Sequence, residues 1–228
     1  MCARFSLFTG SPVLEDLFDL EEPVLWEPHY NIAPSEDAPA VLLNKEGHRT
    51  FLPLTWGLVP HWAKDPGGGA RMINARSETV REKPAFRDAF ARRRCLIPAD
   101  GFFEWRDENG KKAPYFITRL DHRPFAMAGI WDRWKDDSTT LRTCSILTTE
   151  PNRKVAELHN RMPVILHERD FDLWLDPEAP VPALESLFVP YEEEQTLLTP
   201  VTPRMGNPRY KEPDCVLPVV PDQGDLFG

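Results

Sequence analysis

At 228 residues, with 41% apolar residues, seven Trp and thirteen Phe, the chain carries enough hydrophobic material for one packed core of mixed class. A net charge of −9 argues against a protein that coats nucleic acid without selectivity, although residues 71–94 hold seven Arg and one Lys, enough for a local basic groove. No stretch approaches the ~20 apolar residues of a membrane span, and no basic-then-apolar secretory pattern opens the chain, so neither a membrane partner nor secretion is expected.

In chain order, residues 3–8 read as a short strand and Pro12 to Leu20 as an amphipathic helix. Tyr30-Asn31-Ile32-Ala33-Pro34 reads as an extended loop, because a residue before proline disfavours helix. Ala40 to Leu43 and Thr50 to Leu54 form a predicted hairpin turned at Glu46-Gly47. Trp56 to Trp62 is an aromatic loop, followed by a Pro66-Gly67-Gly68-Gly69 lip without the pattern of a phosphate loop. Residues 77–93 read as helical with a break at Pro84, and Arg94 to Pro98 as a strand. Gly101 to Arg106 and Pro114 to Arg119 pair about Asn109-Gly110, a strong hairpin signal. A second hairpin joins Phe125–Trp134 to Arg142–Thr149, and a helix over Asn152–Leu158 precedes a strand over Pro163–Leu166. Short helices follow at Glu168–Leu175 and Val181–Leu187, and a proline-rich tail from Pro200 is expected to wrap the surface. The pattern predicts a single α+β domain, mostly antiparallel, with short flanking helices.

Four cysteines, Cys2, Cys95, Cys144 and Cys215, lie far apart without a Cys-x-x-Cys pair. That suits a reduced, cytoplasmic protein and gives no metal signature. Cys95 and Cys144 sit in apolar runs and read as core residues. Cys2 differs. Once Met1 is removed, an α-amine and a thiol share one residue, and an aldehyde can form an imine with the amine before the thiol closes a five-membered thiazolidine. Position alone does not distinguish this from an ordinary small residue after methionine.

Three further residues are polar in apolar surroundings. Glu104 interrupts Gly101-Phe102-Phe103-x-Trp105, where burial would raise its pKa and suit it to proton transfer; a solvent-facing strand position is the alternative. His159 closes an amphipathic turn before Asn160-Arg161-Met162-Pro163, as a proton carrier or as a helix-end residue. Asn74, in Met72-Ile73-Asn74-Ala75-Arg76, could orient a substrate or the chain terminus, or cap a helix. With Cys2 they make a parts list for covalent catalysis.

The motifs Met1-Cys2-x-Arg4-Phe5, Tyr30-Asn31-Ile32-Ala33-Pro34, Trp56-Gly57-Leu58-Val59-Pro60, Ile73-Asn74-Ala75-Arg76-x-Glu78-Thr79, Cys95 to Trp105 and His159-Asn160-Arg161-Met162-Pro163 resemble the SOS response-associated peptidase (SRAP) family. They run in family order from residue 2 to about 166, with a weaker echo at Val201 to Asn207. The resemblance implies one domain with a β-barrel-like core that spans residues 1–228. It implies binding of single-stranded DNA and a covalent thiazolidine crosslink to abasic sites through Cys2 after loss of Met1, with self-removal of Met1 and lyase-type reversal as accompanying activities. By motif, Asn74, Glu104 and His159 complete the site. Arg4 and Arg76 would pair with phosphates, Trp62 would stack on a base unless it is a core aromatic, and Pro34 and Pro60 would wedge against stacked bases. No cofactor and no metal are implied; a monomer that acts in the cytoplasm, on nucleoid DNA, is expected. One position departs from the family pattern: Ala3 stands where glycine is usual, which could restrict the backbone beside the nucleophile. An N-terminal-nucleophile cysteine hydrolase and a non-covalent single-stranded DNA-binding module are the competing functions.

Overall fold

The structure, a computed structural model, describes residues 2–108 and 110–219. Strand β1 (Phe5–Leu7) leads into helix α1 (Ser11–Phe18), then β2 (His29–Ile32) and a hairpin of β3 (Asp37–Leu43) and β4 (Arg49–Trp56). β5 (Asn74–Arg76), α2 (Arg87–Arg92) and β6 (Arg94–Ala99) precede two long hairpins, β7 (Gly101–Glu108) with β8 (Lys111–Arg119) and β9 (Phe125–Lys135) with β10 (Thr140–Thr149). α3 (Arg153–Ala156), β11 (Met162–Pro163), β12 (Ile165–Leu166), α4 (Phe171–Leu175), α5 (Val181–Glu185) and β13 (Thr196–Pro200) complete the order.

β10, β4, β3, β6 and β9 pair in that sequence, and β9 pairs back onto β10, so five strands close into a barrel. Closure leaves no free edge among them and encloses a dense apolar interior. A second sheet, ordered β13-β8-β7-β1-β2, packs with it over a shared core that includes Phe5, Ile32, Trp56, Leu96 and Met127. The architecture is α+β with a barrel-like core, as the strand pattern and the family resemblance implied.

Local chemistry explains the register. Pro39 faces Pro53 across β3 and β4, so the two residues that lack an N–H share one rung of the ladder and cost no backbone bond there. Gly101 opens β7 under the ring of Phe116; a Cβ at this position would lie 2.4 Å from that ring, so no larger residue fits. The β7–β8 pairing runs to Glu108 opposite Lys111, and Gly110 takes φ 80, as the expected tight turn requires. Asn109, the other residue of that turn, lies outside the described residues.

Several expectations are corrected. The Tyr30–Pro34 segment is a strand as far as Ile32, because Ile32 pairs with Phe5; only the residues at Pro34 turn. The helix expected over 77–93 is confined to Arg87–Arg92, with turns from Ser77 to Phe86, where Pro84 removes a backbone donor. The strand at Pro163–Leu166 divides in two, since Val164 donates to Leu147 on β10 and accepts from Ala128 on β9. The tail does more than cover the surface. Met205 and Cys215 are fully buried in a small second core with Phe103, Phe116 and Val201. Residues 220–228 of the predicted tail lie outside the described residues.

Candidate active site

The chain entering β1 is where the site forms. Phe103 donates its backbone N–H to the Arg4 carbonyl at 2.9 Å, so the β1–β7 ladder continues past Phe5 and lays the first residues beside Glu104. Cys2 is 0% exposed, and its Sγ donates weakly to the Arg4 carbonyl at 3.7 Å. Burial, reinforced by the Glu104 carboxylate, pushes its thiol pKa well up, so the sulfur rests as a protonated thiol.

β10 brings in the second component. It pairs in parallel with β4 at Thr143 and Cys144, and then with β5 at Ile146 to Thr148. The switch of partner inserts the three residues of β5 beside the barrel and holds Asn74 opposite Ile146. The Asn74 amide donates from Nδ2 to the Cys2 carbonyl at 2.8 Å, while its Oδ1 is buried and finds no hydrogen-bond partner among the described residues. Asn74 is therefore a strand residue that grips the amino-terminal arm, not a helix cap.

Glu104 is 3% exposed, which removes the solvent-facing alternative. Burial raises its carboxyl pKa to about 7, with the charge of the chain's amino terminus opposing. Such a group is divided between acid and base at neutral pH. His159 follows α3, its N–H bonded to the Val155 carbonyl at 2.9 Å. Its Nδ1 accepts the Arg161 N–H at 3.0 Å, an arrangement that puts the proton of the neutral ring on Nε2. Partial burial, and next the charge of the amino terminus, lowers its pKa, so the ring is neutral at pH 7. Glu104 and His159 thus both respond to the charge at the start of the chain, and Cys2 to Glu104.

The residues expected to contact DNA divide. Arg76 is exposed, and Trp62 is 55% exposed, which rules out a core aromatic. Pro34 is half-buried beside Ser35, whose N–H donates to the Trp56 carbonyl at 2.8 Å. Pro60 is buried and unavailable as a wedge; the Val59 N–H donates to Thr143 Oγ1 at 2.8 Å and draws that end of the loop inward. Arg4 also turns inward. Its guanidinium donates to Asn31 Oδ1 at 3.1 Å and to the carbonyls of Met205 and Gly206 at 3.2 and 3.3 Å. Asn31 completes that lock by donating from Nδ2 to the Met205 and Tyr210 carbonyls, both at 2.9 Å. Arg4 is committed to holding the tail against β2.

Sequence reasoning missed Asp132. It is buried, and its Oδ2 accepts from the backbone N–H and the ring Nδ1 of His61, each at 3.0 Å, while Oδ1 lies 3.2 Å from Arg93 Nε. That carboxylate anchors the loop presenting Trp62, and the Trp134 indole adds a bond to the Ala63 carbonyl at 2.8 Å. The signal was available: Asp132 interrupts Ile130-Trp131-x-Arg133-Trp134 much as Glu104 interrupts its own aromatic strand. Gly57, at φ 136, opens the same loop; its backbone passes so close to Gly69 that a Cβ would meet the Gly69 carbonyl at 2.8 Å. Ala3 adds no comparable strain, since left-handed backbone among the described non-glycine residues occurs at Asp19, Ser35 and His122.

Fold and site together define an α+β barrel protein with a buried cysteine at position 2, gripped at its carbonyl by an asparagine of β5. The chain belongs to the SOS response associated peptidase (SRAP) family, whose model matches residues 1–208. It is 39% identical to "Abasic site processing protein YoaM" of Bacillus subtilis, over 92% of this chain and 94% of that one. It is 30% identical to "Abasic site processing protein HMCES" of Gallus gallus, over 85% of this chain and 67% of that one. Among solved structures it superposes on a protein from Bacteroides thetaiotaomicron with a TM-score of 0.85 and 27% identity, covering 96% of this chain and all of the other.

Proposed function

We propose that this protein processes abasic sites in single-stranded DNA, and that after loss of Met1 it captures the lesion covalently through Cys2. The α-amine of Cys2 adds to the aldehyde of the ring-opened sugar, and loss of one water gives an imine. The thiol sulfur then bonds to the imine carbon, the thiol proton leaves through a base, and the nitrogen is reprotonated, which closes the thiazolidine. No oxidant or further reactant is needed.

The observation that carries this reading is Cys2 held at its carbonyl by Asn74, on an arm that runs beside β7, while the charge of the buried Glu104 carboxyl on that strand, with a pKa near 7, acts on the thiol. A buried thiol keeps its proton, so ring closure requires a base, and a carboxylate titrating near 7 supplies one under neutral conditions. Reversal requires the same proton to return, which the acid form of Glu104 provides. His159, neutral at pH 7, assists proton transfer as the sugar ring opens. Asn74 fixes the arm so that amine and thiol meet the same carbon. The names of the relatives, each an abasic site processing protein, support the substrate class.

A cysteine hydrolase uses a thiol whose pKa is depressed by a cationic partner; here burial and a carboxylate push Cys2 the other way. Mixing the protein with single-stranded DNA that holds one abasic site tests the proposal. A covalent band that disappears in Cys2→Ala is expected. Binding without any covalent band would favour the non-covalent module, and repeated cleavage of peptides would favour the hydrolase.

A further inference from the structure

Arg161 connects the two sides of the site. Its guanidinium donates to both carboxylate oxygens of Glu78, at 2.5 and 2.9 Å, and also to the Thr148 carbonyl on β10. This is a bidentate pair, in which both distance and plane are fixed. The Arg161 side chain is largely buried, and its hydrogen bonds hold the Glu78 carboxyl below the usual carboxylate range. The backbone N–H of the same arginine is the donor to His159 Nδ1. Glu78 lies just beyond β5, the strand that carries Asn74, and Thr148 pairs with Arg76 on that strand. A continuous series of bonds therefore runs from the end of the Asn74 strand, through Glu78 and Arg161, to the ring of His159.

We infer that Glu78 is a positioning residue, which through the Arg161 guanidinium holds the Arg161 backbone amide against His159 and so sets the ring's orientation and its Nε2–H tautomer. This deepens the proposed function and rests on the role given there to His159. Glu78 never meets the sugar. Its effect is to keep one imidazole nitrogen occupied as an acceptor, so that the neutral ring presents a single defined proton. Because Glu78 is half exposed, water can take its place against the Arg161 guanidinium, which keeps its bond to the Thr148 carbonyl, and a thermal melt of each variant checks that the fold is retained.

Glu78→Ala and Glu78→Gln, each made with His159 present and with His159→Ala, test this by the rate of covalent capture of an abasic single-stranded oligonucleotide. Ring nitrogen chemical shifts of His159 are read in parallel. Glu78→Ala is expected to slow capture about tenfold, as a displaced catalytic group does. Glu78→Gln, whose amide oxygen still accepts one N–H, should fall between Glu78→Ala and the wild type. With His159→Ala already in place, Glu78→Ala should slow nothing further. The His159 shifts should move from a pure Nε2–H pattern to a mixture of tautomers. A wild-type rate in Glu78→Ala, with His159→Ala slow, overturns the positioning role alone, as does an equal loss in both backgrounds. A wild-type rate in His159→Ala overturns the role of His159 and this inference with it.

Discussion

Asn74 Nδ2 donates to the carbonyl of Cys2 at 2.8 Å, across 72 positions of sequence, and this bond ties down the residue proposed to carry the nucleophile. It acts on the backbone, so it controls where amine and thiol stand without altering the acidity of either. Asn74→Ala removes the amide that donates to Cys2 and is expected to cost ~1 kcal/mol of positioning, roughly fivefold in crosslinking rate. Asn74→Asp, which keeps the shape but lacks the N–H donor, should behave similarly. Single-turnover kinetics on an abasic oligonucleotide check this; a wild-type rate in both variants would remove Asn74 from the mechanism.

The pKa of Glu104 has consequences for rate and for stability. Its folded value, about 7, lies above the ordinary 4.5, so the folded state holds a proton there that the unfolded state releases as pH rises from 4.5 to 7. The stability from this group is full below 4.5 and is lost as pH rises through 7. Glu104→Gln, permanently neutral, should therefore raise the melting temperature at pH 8 more than at pH 5. It should also flatten the inflection near pH 7 in the rate of capture or reversal while leaving affinity for intact single strands unchanged. Parallel pH profiles for variant and wild type would contradict the assignment.

Arg4 and Arg76 are expected to part company on mutation. Arg4→Ala breaks three bonds into the protein and frees the 205–210 segment, so it should destabilise the fold by about 2 kcal/mol. Arg76→Ala should leave the melting temperature alone and weaken DNA binding, with a shallower dependence on salt. Thermal melts beside binding titrations at several salt concentrations separate the two. An unchanged salt slope would place Arg76 off the phosphate path.

Trp62 and Asp132 form a second contrast. Trp62→Ala removes an exposed ring and should cost 1–3 kcal/mol of single-strand affinity, about 5- to 150-fold, with no loss of stability. Asp132→Ala removes the buried carboxylate that accepts from His61 and forms an ion pair with Arg93, and should cost about 1–3 kcal/mol of stability. Fluorescence titration with an undamaged oligonucleotide and a thermal melt distinguish them; equal affinity in Trp62→Ala would show that the ring does not meet the DNA.

What the sequence revealed follows from how local each signal is. The β7–β8 hairpin is legible because Asn-Gly and the alternation about it are contained in some twenty consecutive residues. Glu104 could be assigned to a face of its strand but not to the inside, since its neighbour across the sheet, the amino-terminal arm entering β1, lies about a hundred positions away in sequence. The inward turn of Arg4 was hidden for the same reason: its acceptors lie 27 and 201 positions away. Pro60 looked like an exposed wedge because nothing nearby shows that Thr143 pulls Val59 into the barrel. Asn74 was recognisable through its motif, whereas its attachment to Cys2 needed β10 to exchange β4 for β5 as its neighbour.

The most direct test of covalent capture is the intact mass of the protein after incubation with a single-stranded oligonucleotide that carries one abasic site. The predicted adduct weighs the chain without Met1, plus the oligonucleotide, less one water, and Cys2→Ala forms none. A protein that keeps Met1 yet crosslinks, or a Cys2→Ala variant that gives the same adduct, would contradict a thiazolidine formed at Cys2.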